Sequence, residues 1–106
     1  MKAIDKAYQD LTKEAISILL KIKENLKDES DCIWTYYENA TQMRQEIDKY
    51  ILELEKSSLR LLDDTYMHFL PTAAYQEHSM ANNWTIEYHK LAEKFDKIYE
   101  ALKTYS

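Results

Sequence analysis

The chain has 106 residues, no glycine and one proline, which removes the residues that hairpin turns, bulges and phosphate-cradling loops require and excludes a β-rich fold. With 31% charged and 45% hydrophobic residues, rich in Lys, Glu, Leu and Ile, the composition favours helix and suffices for one core in one domain, residues 1–106. A formal net charge of −5 argues against nucleic acid or an anionic membrane as partner, because both need a basic face.

Apolar residues at Ile4, Tyr8, Leu11, Ala15, Ile18, Leu19, Ile22 and Leu26 step by three and four and predict a first helix over residues 2–27. Its other faces carry Lys2, Lys6, Lys13, Glu14, Lys21 and Lys23, which reads as solvated surface. The helix should end in the run KDESD, residues 27–31, where Ser30 or Asp31 can accept from the free amides of a second helix.

From about residue 32 to 70, Ile33, Ala40, Ile47, Leu54 and Leu61 recur every seven residues, and Tyr36, Met43, Tyr50 and Ile51 fill a second column. One helix of that length would run about 55–60 Å. Ser57 and Ser58 interrupt the column, either as small residues or as the start of a new helix. The spacings of Glu46 with Lys49, Glu53 with Lys56 and Arg60 with Asp64 favour continuity.

Trp84, Tyr88, Leu91, Phe95, Ile98, Leu102 and Tyr105 alternate by threes and fours and predict the last helix. The frame extends back through Ala81 and Ala74, so this helix either begins after Pro71 with Thr72 as cap or restarts at Asn82 or Asn83. The expected fold is all-α: an antiparallel bundle of three long helices, or four if helix two or three is broken.

A first helix of this length covers the second only to about residue 56, which leaves the hairpin around Pro71 as a projecting tip. The tip carries Leu61, Leu62, Tyr66, Met67, Phe69, Tyr75, Met80 and Trp84, too many large apolar groups for two helices to bury between them. A second copy, another protein, or a fold-back of the tip as a short fourth helix would cover them. The expected function is binding without catalysis, as in a helical adaptor, chaperone, antitoxin-like or immunity-like protein. Tyr66, Phe69, Tyr75, Met80 and Trp84 are the candidate surface, and a homodimer or another protein is the candidate partner.

The alternative is a metal or small-ligand site. Asp64 and His68 lie one turn apart, and Glu77 and His78 would face them across the Pro71 turn, a set suited to zinc or iron. Against it, His68 is in phase with Leu61 and Leu54, where core histidines fall, and neither paired Glu-x-x-His nor His-Glu-x-x-His motifs occur. Glu46, Asp48, Glu53, Glu55, Asp63 and Asp64 lack the one-faced clustering that a magnesium hydrolase of the all-α nucleotide pyrophosphohydrolase type needs.

Cys32 has acidic and aromatic neighbours and reads as a buried structural thiol; His89 reads as surface. Of the nine tyrosines, Tyr36, Tyr50, Tyr88 and Tyr105 fall in core columns, and Tyr37, Tyr66, Tyr75 and Tyr99 at the margins. No cofactor signature is present. A charged N-terminus, a single cysteine and the lack of any apolar run of about 20 residues place the protein in the cytoplasm by expectation.

Overall fold

The structure is a computed structural model that describes residues 6–32, 35, 37–71 and 73–105. Five helices follow one another: α1 Lys6–Glu24, α2 Ala40–Glu55, α3 Leu62–Met67, α4 Ala74–Ala81 and α5 Thr85–Lys103, with no strand among the described residues. The expected positions Lys2, Ile4, Ile33, Tyr36 and Thr72 lie outside the described residues.

The direction of each limb follows from paired contacts at its two ends. Lys23 Nζ meets Asp48 at 2.6 Å, and the Tyr8 hydroxyl donates to the Ser57 carbonyl at 2.7 Å, so α1 and α2 are antiparallel. Asn25 donates to Glu87 at 3.0 Å, and the Tyr8 and Tyr105 rings lie 5.0 Å apart, so α1 and α5 are antiparallel too. Between α2 and α5 the chain returns as a broken limb, α3 then α4. Tyr66 stacks on Tyr99 at 3.9 Å and Phe69 on Phe95 at 4.1 Å, while Tyr50 reaches His68 at 2.8 Å.

Three long helices therefore do not form. The long second helix stops at Glu55 because Ser57 adopts a left-handed conformation, φ 60°. The Ser58 amide then bonds the Glu53 carbonyl and the Ser57 amide the Leu54 carbonyl, both at 2.9 Å, which satisfies two acceptors of the last turn of α2. Glycine normally takes this position because it has no Cβ; here a serine does, at a cost of about 1 kcal/mol. Arg60 pairs back to Glu53 at 3.1 Å across the turn, and Glu53 also meets Lys56 at 3.8 Å, the spacing expected within the helix.

The same device separates α4 from α5. Asn83 is left-handed at φ 66°, and the Trp84 amide bonds the Ser79 carbonyl at 3.0 Å. Asn82 thus ends α4 rather than starting α5. Its side chain clamps the distant loop, accepting from the Asp31 amide and donating to the Asp31 carbonyl, each at 2.9 Å.

Helix α2 begins at Ala40 because Asn39 caps it, accepting from the Gln42 amide at 3.0 Å, while Gln42 accepts from the Glu38 amide at 2.9 Å. Ser30 instead closes its own turn by accepting from the Lys27 amide. Leu19, Ile22, Met43, Ile47, Phe95 and Leu102 form the most deeply buried part of one continuous core.

Candidate functional site

The residues expected to form a projecting surface are mostly interior. Phe69 is 6% exposed, Tyr75 2% and Trp84 8%; Tyr66 is half-buried, and Met80 alone is open, at 54%. The cause is the break at Ser57, which folds the tip back so that its aromatics pack on α5. Phe69 also meets Tyr75 edge-on at 5.1 Å, and the Tyr88 hydroxyl donates to the Phe69 carbonyl at 3.3 Å. Tyr75, expected at a margin, is core, and Tyr105, expected in the core, is exposed. A dimer built on Phe69, Tyr75 and Trp84 would have to open this core.

The four candidate metal ligands do not converge. His68 faces α2, where its Nε2 lies 2.8 Å from the Tyr50 hydroxyl and 3.5 Å from Glu46 Oε1, while His78 turns inward against Trp84. Glu77 is half-buried on α4 and Asp64 exposed on α3. Among the described residues no three His, Cys, Asp or Glu side chains come together as a metal site. The acidic residues of α2 and α3 also go separate ways: Asp48 to Lys23, Glu53 to Arg60, and Asp63 to Tyr99 and Lys103.

Both histidines serve the broken limb. The Tyr50 hydroxyl donates to Glu46 at 2.6 Å and touches His68, which ties α2 to the end of α3. Burial lowers the His68 pKa against the opposing pull of Glu46, and burial, then Glu46, pushes Tyr37 up to about 12. His78 Nδ1 accepts from the Trp84 indole at 2.9 Å. Because indole N–H only donates, the neutral imidazole carries its proton on Nε2, a buried atom with no hydrogen-bond partner among the described residues. Burial drops the His78 pKa to about 4. Burial, then Asp31, raises the pKa of Cys32, a buried thiol as expected.

An open groove of about 500 Å³ lies between α1 and α5, lined by Leu11, Glu14, Ser17, Ile18 and Lys21 on one wall and Leu91, Lys94, Lys97 and Ile98 on the other. Ile18, Leu91 and Ile98 form its buried base, and Lys21, Lys94 and Lys97 stand exposed around it. Lysine stems lie along apolar walls but keep their ammonium groups in water, so they frame the groove without filling it. None of the three has an ion pair among the described residues. Three cations against Glu14 make this a positive patch on a chain of net charge −5.

The sequence reading missed the groove. Leu11 and Ile18 were part of a core column and Lys21 part of a solvated face; their adjacency at 3–4 spacing was the available signal. The lining supplies apolar contact from Leu11, Ile18, Leu91 and Ile98 and positive charge from its three lysines. No family model, no curated protein and no solved structure matches this chain.

Proposed function

We propose that this protein acts by binding, without catalysis, and that its working surface is the α1–α5 groove. The carrying observation is the juxtaposition of an apolar base, Ile18, Leu91 and Ile98, with Lys21, Lys94 and Lys97, which have no ion pairs among the described residues. An occupant gains by burying apolar surface on that base and by placing negative charge at the rim. The net charge of −5 supports a protein partner over nucleic acid or an anionic membrane. No helix formed by described residues is long and apolar enough to cross a membrane. Action in the cytoplasm as an adaptor, chaperone, antitoxin-like or immunity-like bundle is the class of role this supports.

The test uses an apolar anion, anilinonaphthalene sulfonate, titrated into isotopically labelled protein. Amide shifts should centre on Leu11, Ser17, Ile18, Leu91 and Ile98, and the double variant Lys94→Glu, Lys97→Glu should weaken binding by about ten-fold. Shifts centred on Met67, Met80 and Ile86 instead, or none at all, would remove the groove as the working surface.

A further inference from the structure

We infer that the occupant of the α1–α5 groove is an amphipathic helix of another protein, with acidic residues flanking its apolar stripe. This rests on the groove reading above and names the partner's chemistry. Both walls are written in helical period: Leu11, Glu14, Ile18 and Lys21 step by three, four and three along α1, and Leu91, Lys94 and Ile98 by three and four along α5. Side chains so arranged form ridges that mesh with those of a third helix, as in any helical bundle. From Leu11 to Lys21 the wall runs about 15 Å, which faces nearly three turns of a docked helix.

The placement of charge separates a helix from a single-headed amphiphile. In the antiparallel register fixed by Asn25 with Glu87 and Tyr8 with Tyr105, Lys21 is level with the Leu91 turn. Lys94 and Lys97 then follow along the opposite wall, so the cations extend over about 8 Å of the groove on both rims. A fatty carboxylate brings one charge at one end and leaves the other lysines unanswered. A helix brings carboxylates at three- and four-residue intervals on both flanks of its apolar stripe, and Glu14 selects a neutral or basic residue opposite itself.

The decisive experiment compares three probes by amide shifts on the full chain: a lactam-stapled helical peptide of about 14 residues with leucines at heptad spacing and glutamates on both flanks, the same peptide with lysines for glutamates, and dodecanoate. The expected result is that the acidic peptide shifts the groove residues and the lysine peptide does not. Lys94→Glu, Lys97→Glu should then weaken the acidic peptide by about ten-fold and admit the lysine one. Equal binding of both peptides would overturn the inference. Dodecanoate in the groove with neither peptide bound would also overturn it while leaving the groove a binding site. No response to any probe would take both readings down. A dimer by light scattering in which the groove amides become protected would replace the foreign helix with a second copy.

Discussion

The α3–α4 limb and the α1–α5 groove carry apolar residues in opposite ways. The limb is dense in aromatics and, read along the chain, looks like a binding surface, yet Phe69 and Tyr75 are core, as is Trp84 at the start of α5. The groove is made largely of leucine, isoleucine and lysine, which read as routine core and routine surface, yet it is open. Aromatic density marks where large side chains are available for burial; which of them remain accessible depends on where the chain reverses.

The largest test of this contrast is truncation in the limb. Phe69→Ala should destabilise the fold by about 3–5 kcal/mol, since it removes a buried ring stacked on Phe95, whereas exposed Met80→Ala should stay within about 0.5 kcal/mol. Denaturant melts of the two variants check it, and similar small effects would mean that the limb is not core.

Acid should loosen the limb next. The folded His78 pKa, about 4, lies below the ordinary 6.5, so between these values the unfolded chain binds the proton and the folded one does not. Stability is therefore full above about pH 6.5 and falls as pH drops toward 4, by up to about 3 kcal/mol from this group. His68, lowered in the same sense, adds to the slope. His78→Phe should cost about 1–3 kcal/mol at neutral pH by leaving the Trp84 indole unpaired, and should flatten the pH dependence measured by melts across that range.

A smaller change of opposite sign should come from the turn that creates the limb. Ser57→Gly relieves a left-handed residue and should raise stability by about 1 kcal/mol, read as a higher melting temperature. A loss would mean that α2 can continue through this position. Smallest of all is the effect of groove charge on folding. Lys94→Glu with Lys97→Glu should change stability by less than about 0.5 kcal/mol, because neither lysine makes an ion pair among the described residues. A neutral effect on folding beside a large one on binding marks a surface kept for function.

Much of the core was legible. The three-four steps of Tyr8, Ala15, Ile18, Leu19 and Ile22, of Met43, Ile47, Tyr50 and Leu54, and of Tyr88, Leu91, Phe95, Ile98 and Leu102 all correspond to buried faces. The break at Ser57 was harder, because its usual marker is glycine and this chain has none. The heptad column running from Leu54 to Leu61 concealed it further: both residues are buried, but on two limbs that run in opposite directions. Asn82 and Asn83 did carry a visible signal, since asparagine tolerates the left-handed region, though as the end of one helix rather than the cap of the next.

The sequence by itself determined an all-helical chain and which face of each long helix is apolar, because periodicity and the absence of glycine are local properties of neighbouring residues. Only the tertiary structure decided that the aromatic limb closes inward while Lys21, Lys94 and Lys97 frame an open groove. A residue's exposure depends on which helix lies across from it, and that is set by where two left-handed residues, Ser57 and Asn83, turn the chain.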